Sequence, residues 1–313
     1  MRQWFEWKSA TAQSIIEATG LEPVAGATVL AADLVRECGL EKPGHNLKIL
    51  ASFRDAEIQE IEMSDAGALI DVSGMEGARC GYLIQVNEAD SRARKNFSIC
   101  HEIGHILMPN YNGDSGPRRD AQTMRWDKSD EEEYLCDVAA AELLMPHAEF
   151  VPRLRGCGMR IEAVRELAEE FGSSLEATAM SIVGANIECV AVLVWELGWN
   201  KEQKKHATAP TLPFDEVDEV TAPPRREYRI KFARACGTMS QYYFPRGISV
   251  EAHSLIGQAA ATDLSVCGWQ ELRCGGERRH RLYTQSQSFV MRRGDTFERK
   301  IFTLVQKKPP CDE

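Results

Sequence analysis

The sequence lacks the features of a membrane-spanning or secreted protein. Its longest apolar run extends only from Cys189 to Trp195, whereas a helix that crosses a bilayer needs about 20 apolar residues. The N-terminus has no basic stretch followed by an apolar one, so we find no secretory signal. Charged residues make up 27% of the chain and mean hydropathy is −0.34, values typical of a globular protein. We therefore expect a cytoplasmic protein.

Closely spaced cysteine pairs are absent as well. The ten cysteines are scattered, and no two of them form a C-x-x-C pair. In a reducing compartment such cysteines are mostly small buried apolar side chains. This distribution argues against a cysteine-based zinc site and against a small disulfide-linked scaffold.

Charge is divided unevenly along the 313 residues. Residues 221–313 carry 16 basic and 9 acidic side chains, a net charge of +7, whereas residues 1–220 carry 21 and 38, a net charge of −17. Such asymmetry favours two modules with different partners, although two solvated surfaces would give the same numbers. A polar, proline-containing stretch separates the modules, and we find no internal repeat. The predicted domains are residues 1–150, residues 151–199 (a helical hairpin and the strand after it), a linker at 200–226, and a C-terminal α/β module at 227–313.

The periodicity of apolar residues predicts an α+β protein. Helical spacing is present in four N-terminal segments, Thr11–Glu17, Ala27–Glu37, Arg94–Met108 and Asp130–Met145. Strand-like runs are present at Lys48–Phe53, Ala66–Val72 and Cys80–Val86, which predicts a small sheet. After the linker, similar runs at Tyr228–Phe232, Ser288–Met291 and Lys300–Val305 predict a second sheet with one or two helices.

Residues 160–185 have the outline of a helix-turn-helix. Two helical stretches meet at Phe171-Gly172-Ser173, and Ser173 with Glu176 fits a capping box for the second helix. Five glutamates in this segment oppose contact with phosphates. We therefore favour a structural helical hairpin over a DNA-reading one.

The pentapeptide His101-Glu102-Ile103-Gly104-His105 is an H-E-x-x-H motif within a predicted helix. Spacing of i, i+4 puts both imidazoles on one helix face, where they can bind a single metal ion. The Glu102 carboxylate, one residue on, can accept a proton from the attacking water. The motif alone is suggestive, since a helix with two unrelated histidines would also match it.

A catalytic zinc site needs a third protein ligand, and the other histidines are isolated in the sequence. The next acidic helix offers Glu133 and Asp137, which share one face at i, i+4 spacing. Glu133 can bind the metal, while Asp137 can accept the ring N–H of a ligand histidine. For Glu131 and Glu132 we expect only a solvated helix N-terminus, favoured by the helix dipole.

The segments Arg94–His105 and Glu133–Pro146 resemble the ImmA/IrrE metallopeptidases. That family has a phenylalanine and a small hydroxyl residue before HE-x-G-H, and a second block E-x-x-A-[DN]-x-F-A-A-x-L-L-M-P. Alignment on the shared L-L-M-P places the glutamate of the second block on Glu133 and its Asp/Asn on Asp137. Cys136 and Ala139 replace the usual alanine and phenylalanine, which leaves the ligand positions intact. The resemblance extends over residues 66–185.

The resemblance implies a zincin-like fold and a zinc endopeptidase with His101, His105 and Glu133 as ligands and Glu102 as general base. It implies a protein substrate, a helix-turn-helix repressor whose cleavage derepresses stress-response or mobile-element genes. The layout is similar to the IrrE branch, which implies a GAF-like C-terminal sensor module. Tyr111, Tyr134 and Arg118 or Arg119 are candidates to stabilise the oxyanion.

Several alternatives stay open at this stage. The chain could be a catalytically silent anti-repressor, or a DNA-binding regulator with weak DNA contact through its basic C-terminal module. Mn²⁺ or another divalent ion could replace Zn²⁺, because such ligand sets select weakly among metals. The oligomeric state and the substrate do not follow from the sequence.

Overall fold

The structure is a computed structural model that describes residues 7–111, 131–199, 226–251, 253–275, 278–293 and 296–309. It is an α+β protein, as predicted, and it divides into two compact units. Unit 1 comprises residues 1–156 and 165–178, and unit 2 comprises residues 157–164 and 179–313. The predicted linker, residues 200–226, lies outside the described residues except at its last position.

Unit 1 combines helices with one small sheet. Its helices are α1 (Ala10–Thr19), α2 (Pro23–Cys38), α3 (Leu47–Ser52), α4 (Arg92–Leu107), α5 (Glu131–Leu144) and α6 (His147–Cys157). The strands are β1 (Ala56–Ile61), β2 (Gly67–Asp71) and β3 (Tyr82–Asn87). The sheet has the order β1-β3-β2, with β1 parallel and β2 antiparallel to β3.

One predicted strand of this sheet is wrong. The segment Lys48–Phe53 lies largely in helix α3, because Leu47, Leu50 and Ala51 repeat at helical spacing and are buried on one face. The third strand of the sheet is β1 instead. Sequence periodicity missed it because Ala56–Ile61 is a half-exposed edge strand with few apolar residues.

The helical hairpin is present as α7 (Ala163–Phe171) and α8 (Leu175–Ala185). Its cap lies one residue later than predicted. Because α8 begins at Leu175, the residue that precedes it is Ser174, whose hydroxyl accepts a hydrogen bond from Ala177 N at 3.1 Å. The Ser173 hydroxyl instead lies 2.6 Å from that of Thr178.

Unit 2 contains a five-stranded antiparallel sheet. Its strands are β4 (Val190–Gly198), β5 (Glu227–Ala235), β6 (Val266–Arg273), β7 (Arg279–Arg293) and β8 (Thr296–Gln306), in the order β5-β4-β8-β7-β6. Helix α9 (Leu255–Ala261) contributes Ile256 and Ala259 to a core with Leu193 and Trp195. The GAF-like assignment of this module stays a prediction.

Strand β4 explains the longest apolar run of the sequence. It pairs with both β5 and β8, and Val190 to Trp195 are all buried. A strand with partners on both edges and cover on both faces is apolar throughout, without alternation. The sheet of unit 2 therefore includes a strand that precedes the predicted linker.

Among the described residues, no single helix is long and apolar enough to span a membrane. Helices α1 and α2 meet that criterion only when taken together, across a bend of 64°.

Candidate metal centre

Helix α4 carries the H-E-x-x-H motif in unit 1. The helix begins after Ser91, whose hydroxyl accepts a hydrogen bond from Arg94 N. His101 and His105 lie one turn apart, with their ring centroids separated by 4.9 Å. Both rings turn Nε2 toward the same point, and these two nitrogens are 3.2 Å apart.

Helix α5 brings Glu133 to the two histidines, and Gly104 makes this close approach possible. A Cβ atom at residue 104 would lie 3.1 Å from the carbonyl oxygen of Cys136 and 3.3 Å from its Cα. Nonbonded carbon atoms normally approach to about 3.5–4.0 Å, so a side chain at residue 104 would require α4 and α5 to move apart by a few tenths of an ångström. The glycine within the motif therefore permits the observed spacing of the two helices.

The three predicted ligands converge. Glu133 Oε2 lies 3.1 Å from His101 Nε2, and Glu133 Oε1 lies 3.6 Å from His105 Nε2. The ligand atoms all lie within 4.8 Å of one another, close enough to hold one metal ion. Around a tetrahedral zinc with bonds of about 2.0–2.1 Å, ligand atoms are about 3.3 Å apart. Two imidazoles and a carboxylate at this spacing fit a first-row divalent cation.

Asp137 lies behind His101, as the sequence predicts. Its Oδ1 is 2.9 Å from His101 Nδ1, so it accepts that ring proton and leaves Nε2 to face Glu133. Burial alone would lower the pKa of His101, but the hydrogen bonds to Asp137 and Glu133 outweigh it and raise the pKa to about 10. Metal binding at Nε2 would therefore release a proton.

The expectation that Glu131 and Glu132 form a merely solvated helix end is wrong. The Glu131 carboxylate accepts hydrogen bonds from Lys8 N at 2.8 Å and from Ser9 N at 2.7 Å. Glu132 accepts a hydrogen bond from the Thr11 hydroxyl at 3.0 Å, and its other oxygen lies 3.4 Å from Nδ1 of His105. The contact with His105 lowers the pKa of Glu132 below its ordinary value.

Glu102 is buried beside the small sheet. Its side chain is 2% exposed, and a Cβ atom at Gly67 on strand β2 would lie only 3.1 Å from Glu102 Oε1. The same atom would lie 3.4 Å from Cβ of Ser98. The absence of a side chain at residue 67 thus leaves room for the carboxylate of the predicted general base.

The candidates for oxyanion stabilisation are only partly described. The Tyr134 ring stacks on Trp7, with centroids 6.2 Å apart, and the Tyr111 ring packs against Tyr82 at 5.6 Å. Arg118 and Arg119 lie outside the described residues. No member of this group is singled out by the geometry.

The structure thus brings together four of the predicted site residues, His101, His105, Glu133 and Asp137. Glu102, the fifth, is next to His101 on α4 and is buried. Sequence reasoning missed Glu132 and Thr11. No sequence pattern marks Thr11, since it is about 120 residues away from its partner. Glu132 could have been suspected from the sequence, because it is next to the predicted ligand Glu133 in the first turn of α5.

Comparison with known proteins finds a family profile that matches the region around this site. The profile of the peptidase M78 family, described as the IrrE N-terminal-like domain, matches residues 59–182. No curated protein matches the chain. A solved structure described as a transcriptional regulator of Mycobacterium tuberculosis has a similar fold, with a TM-score of 0.54 at 9% identity. That match covers 95% of this chain and 80% of the regulator. Residues 59–182, which match this profile, include both histidines and Glu133 of the candidate metal centre.

Proposed function

We propose that the chain is a zinc-dependent endopeptidase that cleaves a specific regulatory protein. The observation that carries the proposal is the convergence of three ligand atoms from His101, His105 and Glu133, within 4.8 Å of one another, in a peptidase-family domain. The buried Glu102 carboxylate on the same helix supplies the general base that hydrolysis needs. Mn²⁺ is the alternative ion, since the donor set accepts both.

A divalent ion bound by these residues would polarise the scissile carbonyl and make the attacking water more acidic. Glu102 accepts the proton of that water and returns it to the nitrogen of the leaving amine, so the carboxylate is regenerated in each cycle. Asp137 holds the His101 ring in the orientation that directs Nε2 to the site. His105 is 1% exposed, so its ring is held by packing as well.

The substrate we propose is a helix-turn-helix repressor, whose cleavage would derepress stress-response or mobile-element genes. This part of the proposal rests on the resemblance to the ImmA/IrrE family. The match to the M78 family over residues 59–182 supports it. The C-terminal module then serves as a sensor or recognition domain.

The experiment compares new protein N-termini, by mass spectrometry, in source cells that express wild type, Glu102→Gln or Glu88→Gln. Glu88 is an exposed residue of the same unit and serves as the matched control. We expect one regulator to be cut with wild type and Glu88→Gln but not with Glu102→Gln, while all three purified proteins contain equal zinc. Cleavage that persists in Glu102→Gln would contradict the assigned role.

A DNA-binding regulator is the second candidate. The net charge of +7 over residues 221–313 favours it, as does the similar fold of a protein described as a transcriptional regulator. Retention of the full chain on DNA that weakens steeply with salt would support this function. The full chain is required, because β4 lies between β5 and β8 and a fragment that starts at residue 221 would lack it.

A further inference from the structure

The first turn of helix α5 is tied to residues 7–11, which we name the N-terminal strap. Backbone N–H groups of Lys8 and Ser9 both donate to the Glu131 carboxylate, at 2.8 and 2.7 Å. The Trp7 ring stacks on Tyr134 with an interplanar angle of 23°. The strap therefore holds residues on both sides of Glu133, the carboxylate among the three candidate ligands.

The third contact of the strap leads directly to a candidate ligand. Thr11, which is 2% exposed, donates its hydroxyl proton to Glu132 Oε2 at 3.0 Å. The other oxygen of the carboxylate, Oε1, lies 3.4 Å from Nδ1 of His105. Asn110, just after α4, donates to the Thr11 hydroxyl at 3.3 Å. A chain of polar contacts therefore runs from the end of α4 through α1 and α5 to His105.

The ring nitrogens of the two histidines show what this series of polar contacts could do. His101 Nδ1 faces Asp137, and its Nε2 lies within hydrogen-bond distance of both Glu133 and His105 Nε2. The Glu133 carboxylate, 3.1 Å from His101 Nε2, can accept a proton from that nitrogen. When the neutral His105 ring carries its own proton on Nδ1, Glu132 Oε1 is the carboxylate oxygen that faces it, at 3.4 Å. This tautomer presents the Nε2 lone pair to the metal position.

We propose that Glu132 is a positioning residue for His105, and that Thr11 holds Glu132 in place for that role. The inference rests on the proposed metal function of His101, His105 and Glu133. The Glu132 side chain is 45% exposed, so without the Thr11 hydroxyl its carboxylate would sample several rotamers. With that hydroxyl bound to one oxygen, the other stays directed at Nδ1. Each candidate histidine ligand then has its own carboxylate, Asp137 for one and Glu132 for the other.

A merely solvated Glu132 would behave differently. Exposed ion pairs contribute little, so its removal would leave metal binding unchanged. Removal of a carboxylate that orients a ligand histidine weakens metal affinity by roughly 10- to 100-fold. Thr11→Val keeps the shape of the buried side chain and removes only the hydroxyl, so we expect a loss of about 3- to 10-fold, below the range for the carboxylate itself.

The test uses the full chain and measures the Kd for Zn²⁺ by competition with a chromophoric chelator. The variants are Glu132→Ala, Glu132→Gln and Thr11→Val. Thr28→Val is the matched control, because the Thr28 hydroxyl donates to Val24 O within its own helix, α2. A second readout is the visible absorption spectrum of the Co²⁺-loaded proteins, which reports the geometry of the ligands. Circular dichroism identifies any variant that fails to fold.

We expect Glu132→Ala to weaken Zn²⁺ binding most and to change the Co²⁺ spectrum. Glu132→Gln, which keeps one acceptor oxygen, should recover part of the affinity, and Thr28→Val should match wild type. Wild-type affinity and spectrum in both Glu132→Ala and Thr11→Val would overturn the inference and leave the proposed function intact. If Glu132→Ala fails to fold, the Thr11→Val result decides. Wild-type protein that binds neither ion would refute the metal site itself.

Discussion

Gly104→Ala tests whether the spacing of α4 and α5 determines metal binding. The new Cβ atom would lie 3.1 Å from the carbonyl oxygen of Cys136 and 3.3 Å from its Cα, both backbone atoms. Carbon contacts settle at about 3.5–4.0 Å, so one helix must move away by a few tenths of an ångström. Metal sites tolerate deviations of only about 0.2 Å in their ligand distances.

Two opposing terms set the expected change in stability. Alanine is favoured over glycine inside a helix by about 1 kcal/mol, whereas overpacking a buried contact costs about 1–3 kcal/mol. The free energy of unfolding should therefore fall by up to about 2 kcal/mol, which leaves the protein folded. Since Glu133 lies one turn before Cys136 on α5, we expect the Kd for Zn²⁺ to rise at least about tenfold.

The assay combines denaturant unfolding of the metal-free proteins with zinc titration. Gly156→Ala in α6 is the control, because a Cβ atom there has no neighbour within 4 Å. That variant should be at least as stable as wild type and bind zinc equally well. Unchanged zinc affinity in a folded Gly104→Ala protein would refute the argument from helix spacing.

Three further predictions concern the surroundings of the site. Gly67→Ala places a Cβ atom 3.1 Å from Glu102 Oε1 and should displace this carboxylate. We expect kcat for peptide cleavage to fall about tenfold, with zinc content unchanged. An unaltered kcat would show that this contact is irrelevant. Asp137→Ala removes the acceptor for His101 Nδ1, so zinc affinity measured by chelator competition should fall about 10- to 100-fold, and an equal affinity would contradict the pairing. Because the pKa of His101 is raised from 6.5 to about 10 in the fold, the metal-free protein binds a proton that the unfolded chain has lost above pH 6.5. Its denaturation midpoint should therefore decline between those two pH values. The zinc-loaded protein should lack this decline, and identical pH profiles for the two forms would count against the assignment.

The ligand set could be predicted from the sequence because its geometry is local to two helices. An i, i+4 pair such as His101 and His105 shares a helix face whatever the rest of the fold is. Glu133 and Asp137 repeat the same relation on α5. The contact between the two helices was inferred from the need for a third ligand and from the resemblance. Gly104 permits it, because no side chain there separates the helices.

The roles of Glu131 and Glu132 could not be predicted in this way. Their partners Lys8, Ser9 and Thr11 lie more than 120 residues away, and no periodicity connects such distant segments. A run of acidic residues at a helix N-terminus has an adequate local explanation in the helix dipole. The local explanation gave no reason to expect tertiary contacts, but the N-terminal strap packs against the same turn of α5 and binds both glutamates.

Sequence patterns predicted the wrong secondary structure, or none, for elements that are short or that bury few residues. Helix α3 spans only Leu47–Ser52, too short to reveal its period, and its apolar residues imitate a strand. Strand β6 alternates between exposed and half-exposed residues over most of its length, so its apolar signal is weak. The run at Val190–Trp195, in contrast, is apolar because β4 is enclosed on both edges and both faces.

X-ray absorption at the zinc edge tests most directly whether His101, His105 and Glu133 bind one metal ion. The account predicts one zinc per chain with two imidazole ligands and oxygen donors at about 2.0–2.1 Å, and no sulfur at about 2.3 Å. His105→Ala should lose the bound zinc, whereas His147→Ala, an exposed histidine at the start of α6, should retain it. A sulfur ligand in the wild-type spectrum, or full zinc occupancy in His105→Ala, would contradict the account.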